Sequence, residues 1–139
     1  MKVKSKTFSN GLVVKHRRSA IIFENADGKS EKESDFTYQF TTDEWIEFID
    51  YLKRAANEAW TTITPKEAYS MGSDYNEYYD RRYDNNGYLS IGDSEIDIEA
   101  PNLSKDTLYQ FNKAKIQSFL FDLEKTLSKK AIQIKTTIT

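Results

Sequence analysis

Residues 36–60 read FTYQFTTDEWIEFIDYLKRAANEAW, and the hydrophobic period changes partway along them. Phe36, Tyr38 and Phe40 alternate, the period-2 pattern of a strand with one buried face. From Thr41 onward the period becomes helical. Trp45, Phe48, Ile49, Leu52, Ala56, Ala59 and Trp60 recur at three- and four-residue spacing and so share one face. Thr41 with Glu44 is the signature of a capping box, and Asp43 and Glu44 suit the positive end of a helix. The stretch predicts a strand followed by a helix over about residues 43–60.

Strand patterns lie on both sides of it. Residues 1–8 alternate, with Lys2, Lys4 and Lys6 on one side, and Asn10-Gly11 is a strong hairpin signal. Residues 12–24 hold two β-branched clusters, Val13-Val14 and Ile21-Ile22-Phe23, separated by the basic run Lys15-His16-Arg17-Arg18. They read as one bent strand or two short ones. A polar turn covers residues 25–33, and Pro65 opens a short helix through Tyr69. Leu89 and Ile91 have the opposite parity to Ile96 and Ile98, so a tight hairpin at Gly92-Asp93 is expected. Ser104 is positioned to cap a last helix with Leu108, Phe111, Phe119, Leu120, Leu123 and Leu127 as its apolar stripe. Residues 131–139 alternate at Ile132, Ile134 and Ile138, as an edge strand or a strand pairing with a second subunit to form a homo-oligomer. The order β-β-β-α-β-β-α-β indicates one α+β domain over residues 1–139, an antiparallel sheet with two main helices packed on one face.

Charge is segregated along the chain. Residues 1–23 carry +6, residues 24–99 carry −12 and residues 100–139 carry +4. An acidic middle repels nucleic acid directly and attracts basic surfaces. Cysteine is absent, which excludes disulfides and thiolate metal sites and points to a reducing compartment. No apolar run resembles a signal peptide or a membrane span. The expected location is the cytoplasm, with no membrane partner.

Residues 69–88 read YSMGSDYNEYYDRRYDNNGY and hold six of the nine tyrosines. Such a composition cannot form a core, but it suits a recognition loop. Tyrosine supplies rigid contact area, while Ser, Gly, Asn and Asp supply adaptable polar contacts. The expected partner-binding residues here are Tyr75, Glu77, Tyr78, Tyr79, Asp80 and Asp84. Glu95, Asp97 and Glu99 add charge, because alternate residues of a strand share a face. Their spacing, about 6.7 Å, is of the same order as that of nucleic-acid phosphates, and the acidic face of the helix at 43–60 is positioned to extend the row.

Two other chemistries fit residues of this chain. The carboxylate row supplies hard oxygen ligands for a Mg²⁺-dependent nuclease, but no lysine or further carboxylates complete such a site. Arg81, Arg82 or the basic N-terminal strand would hold phosphate in a nucleotide-binding protein, with tyrosines stacking the base. Lysines on that strand also serve to block edge-to-edge aggregation. His16 is the only histidine and reads as a solvent-facing strand residue. Glycine-rich phosphate loops are absent, and no cofactor or metal is expected.

The −12 middle segment, the block Tyr75-Asn76-Glu77-Tyr78-Tyr79-Asp80 and the Glu95/Asp97/Glu99 row resemble the small acidic inhibitors of phages and mobile elements, including anti-CRISPR proteins. The resemblance is one of composition. It implies a phage-encoded, non-enzymatic inhibitor in the host cytoplasm. Its acidic, Tyr-rich surface would face a basic nucleic-acid-handling protein such as a nuclease, in some members as a DNA mimic.

Overall fold

The structure is a computed structural model that describes residues 2–27, 35–67, 75, 88–99 and 107–138, with side chains through residue 128. The elements run β1 (Lys4–Thr7), β2 (Leu12–Arg17), β3 (Ala20–Asn25), β4 (Asp35–Gln39), α1 (Thr42–Trp60), β5 (Tyr88–Gly92), β6 (Glu95–Glu99), β7 (Thr107–Phe111) and α2 (Lys113–Ile138). The class is α+β, and the strand pairings are antiparallel.

Turn chemistry sets the local hairpins. Gly11 sits at φ +92°, a conformation that glycine adopts without a Cβ penalty, and the Asn10 side chain accepts a hydrogen bond from the Leu12 amide at 3.1 Å. Arg18-Ser19 turns β2 into β3, with Arg17 opposite Ala20, so residues 12–25 are two strands. Asp93-Ser94 turns β5 into β6, with Gly92 opposite Glu95. That turn reconciles the two parities: Leu89, Ile96 and Ile98 are all buried.

Helix α1 starts where its capping box places it. Thr41 Oγ1 accepts from the Glu44 amide at 3.2 Å, and Glu44 Oε1 accepts from the Thr41 amide at 3.2 Å. Its buried face carries Trp45, Phe48, Ile49, Leu52, Ala55, Ala56 and Ala59. Trp45 Nε1 donates to Thr126 Oγ1 at 2.8 Å and ties α1 to α2.

The C-terminal third departs from the sequence expectation. Thr107–Phe111 is a strand and not the start of a helix capped by Ser104. Its aromatic and β-branched residues pair with β3 from Ile21↔Phe111 to Glu24↔Thr107, with a bulge between Phe23 and Glu24. Asn112 caps the helix instead, accepting from the Lys115 amide at 2.8 Å. With no glycine or proline to stop it, α2 continues to Ile138. The edge strand expected over residues 131–139, and with it the proposed strand pairing to a second subunit, is therefore replaced by helix. Pro65, Lys66 and Glu67 are likewise not helical.

Because β7 takes the free edge of β3, β4 pairs elsewhere. The result is two sheets, β1-β2-β3-β7 and β4-β6-β5, where one was expected. A single core cluster draws on both sheets and both helices. Phe48 is at its centre, stacked on Phe40 at 4.7 Å and contacting Phe8 edge-on at 5.5 Å.

Candidate functional site

Strand β6 is the central strand of the three-stranded sheet, and its parity places the acidic row on the outer face. Ile96 and Ile98 are fully buried, while Glu95 and Asp97 are half-buried and Glu99 is exposed. Cross-strand pairing adds a fourth carboxylate: Asp35 of β4 stands opposite Glu99. On the other flank, Tyr88 of β5 is opposite Glu99 and is 49% exposed. Thr37 Oγ1 donates to Asp97 Oδ1 at 2.7 Å. Like charges facing across strands repel. Asp97 and then Asp35 accordingly hold the Glu99 carboxyl above the usual carboxylate range. Among the described residues, none of these four carboxylates is joined to a cation in a salt bridge.

Three acids of α1, unlike those of the row, are paired with cations. Glu47 is paired with Lys6 at 2.7 Å, Asp50 with Arg54 at 3.2 Å and Glu58 with Lys4 at 3.1 Å. Glu44 is held in the capping box and accepts a hydrogen bond from the Ser9 hydroxyl. Those contacts, Ser9 first, lower its pKa. The lysines of edge strand β1 thus serve as counter-ions for α1.

His16 is not solvent-facing. It is 3% exposed, and its Nε2 lies 2.7 Å from Glu58 Oε2. Nδ1 is buried with no hydrogen-bond partner among the described residues. The hydrogen bonds from His16 and then Lys4 lower the Glu58 pKa. A signal for this burial was present in the sequence, since His16 shares parity with Leu12 and Val14 on the inward face of β2. Glu58 itself carried no signal, because its contact with His16 spans 42 residues.

Of the expected contacts in the tyrosine-rich segment, Glu77, Tyr78, Tyr79, Asp80 and Asp84, with Arg81 and Arg82, lie outside the described residues. Tyr75 is described, and it is not an outward anchor. It is 5% exposed, its hydroxyl donates to Asp122 Oδ2 at 2.7 Å, and its ring meets Phe119 edge-on at 5.0 Å. The Tyr109 hydroxyl donates to its carbonyl. Tyr75 is thus packed against α2.

A pocket of about 470 Å³ opens between the β2–β3 turn and the end of α1, lined by Arg18, Ser19, Glu58, Ala59, Trp60 and Thr61. Two of these residues have left-handed backbone without being glycine, Ser19 at φ +64° and Thr61 at φ +66°. The Ser19 amide donates to the Ala59 carbonyl at 2.9 Å and docks the turn on the helix end. Thr61, with ψ −55° and a 2.6 Å hydrogen bond from the Thr62 amide to the Trp60 carbonyl, forms a positive-φ γ-turn. For a β-branched residue that conformation costs about 1–3 kcal/mol.

Compared with known proteins, the chain matches no family model, and no curated protein or solved structure is significantly similar to it. Among the described residues, no helix is long and apolar enough to cross a membrane. No group of three or more His, Cys, Asp or Glu among them is arranged to hold a metal ion.

Proposed function

We propose that this protein is a non-enzymatic binding module that inhibits a basic, nucleic-acid-handling protein through the outer face of the β4-β6-β5 sheet. The contact residues on that face are Asp35, Glu95, Asp97, Glu99 and Tyr88. Glu77, Tyr78, Tyr79, Asp80 and Asp84, which lie outside the described residues, precede β5 in sequence and are further contact residues of this reading. The observation that supports this reading is the clustering of carboxylates on the outer face of β6, where Asp35 stands opposite Glu99 and Asp97 lies on the same face. A face that keeps like charges together, with no salt-bridged cation among the described residues, gains from an external one, and a cationic protein groove supplies it. Carboxylates about 6.7 Å apart along a rigid strand suit a groove shaped for phosphates, which favours a DNA-mimic, anti-CRISPR-like mode of action.

The test is capture of binding proteins from a bacterial lysate by immobilised wild-type chain and by the triple variant Asp35→Asn/Asp97→Asn/Glu99→Gln. The expected result is a basic partner that binds wild type at low salt, elutes as salt rises, and binds the variant at least about tenfold more weakly. Equal retention by the two proteins would refute the proposal.

A further inference from the structure

We propose that the pocket between the β2–β3 turn and the C-terminal end of α1 is a second binding site, for a small zwitterion of the free amino-acid type. Arg18 takes its carboxylate, Glu58 its ammonium group and Trp60 its side chain. The site is separate from the acidic sheet face and shares no residue with it.

Size and charge argue together. A volume of about 470 Å³ falls within the range of small-ligand sites. Arg18 is exposed and has no carboxylate partner among the described residues. Its planar fork matches a carboxylate in bidentate fashion. Glu58 receives both Lys4 and His16 on Oε2, which leaves Oε1 without a contact among the described residues. Its lowered pKa keeps it ionised near neutral pH. The last turn of α1 has no basic side chain, so the negative end of the helix adds to the attraction for an ammonium group. The half-buried indole of Trp60 supplies an apolar wall. One anionic and one cationic group on the ligand match this pair of walls.

The backbone is consistent with a built site. Ser19 and Thr61 occupy uncommon left-handed conformations on the two elements that form the pocket, and the Ser19–Ala59 hydrogen bond holds those elements in register. Strained backbone of this kind persists where the surroundings hold it, and it clusters at ligand sites. His16 stands behind Glu58 and fixes the carboxylate from the interior.

The experiment is an amide-resolved NMR titration of the full chain with L-phenylalanine up to about 10 mM. The expected dissociation constant is on the order of 1 mM, as befits a ligand of that size. Shifts should concentrate in residues 18–20 and 58–62 and leave β6 unmoved. N-acetyl-L-phenylalanine and L-phenylalaninamide each remove one charge and should bind at least about tenfold more weakly. Arg18→Ala should weaken binding by a similar factor while its spectrum elsewhere stays that of wild type, since Arg18 is an exposed turn residue. No saturable shift with L-phenylalanine, L-leucine, L-glutamate or L-lysine would overturn the proposal. Equal binding of the blocked derivatives, or saturation by AMP in place of amino acids, would overturn it too. None of these outcomes bears on the sheet face, whose test is partner capture.

Discussion

Lys4, Lys6 and His16 on the four-stranded sheet each reach a carboxylate of α1, whereas Asp35, Asp97 and Glu99 on the three-stranded sheet face one another. The two regions share one hydrophobic core, so the difference lies in how charge is used. On the first, opposite charges on β1, β2 and α1 help dock the helix on the sheet. On the second, like charges oppose folding slightly and have no salt-bridge partner among the described residues. A charge count along the chain treats the acids of α1 and those of β6 alike. Only the pairing separates the acids that have partners within the fold from those with none among the described residues.

The largest effect should come from the core that both regions share. Phe48→Ala removes a fully buried ring contacting residues before and within α1, and should cost about 3–5 kcal/mol in urea denaturation. It should lower both sheets together in one transition. Two resolved transitions would mean that the sheets are separate cooperative units and that the shared core does not couple them.

Next in size is the compensated region. His16→Ala vacates a buried position and strips Glu58 of its inner partner, for an expected loss of about 2 kcal/mol by the same measurement. An unchanged midpoint would show that the His16–Glu58 contact contributes nothing to docking α1. Thr41→Ala removes the side-chain half of the capping box and should cost about 1 kcal/mol, read as a lower thermal midpoint.

The smallest effect should have the opposite sign. Asp97→Asn with Glu99→Gln removes like-charge repulsion and should raise the thermal midpoint slightly at low salt, with the gain fading as salt increases. A clear loss of stability would mean that these acids are paired after all.

Acidification separates the regions by sign. Glu58 and Glu44 have lowered folded-state pKa values, so their stabilisation is complete above the ordinary carboxylate range and is lost as pH falls through those lowered values. Glu99 has a raised folded-state pKa. Its protonation as pH falls through that raised value relieves repulsion, and the repulsion returns in full above it. Carbon-detected titration of the side-chain carboxyls should find Glu99 protonating at a higher pH than Glu58. Coincident midpoints would remove the electrostatic contrast between the two faces.

Much of the scaffold was legible along the chain, for a reason that particular residues show. Thr41 and Glu44 are three positions apart, Asn10 and Gly11 are adjacent, and Ile96 and Ile98 alternate within one strand. Such signals act over a few residues and need no knowledge of what packs above them. The outward row of Glu95, Asp97 and Glu99 was visible for the same reason. The segment Thr107–Phe111 was not, because Leu108 and Phe111 fit a helical stripe as well as a strand. The open edge of β3 made the choice.

Local chemistry along the chain thus sufficed for α1, its cap, the hairpins and the acidic strand, since backbone periodicity and capping are satisfied by near neighbours. Folding in three dimensions decided the split into two sheets, the helical course of residues 131–138 and the burial of Tyr75 and His16. It also decided which carboxylates of an acidic stretch are neutralised from within. Those outcomes depend on pairing between distant groups. The 54-residue reach from Lys4 to Glu58 is set by where strands and helices meet, and no window of sequence contains both ends.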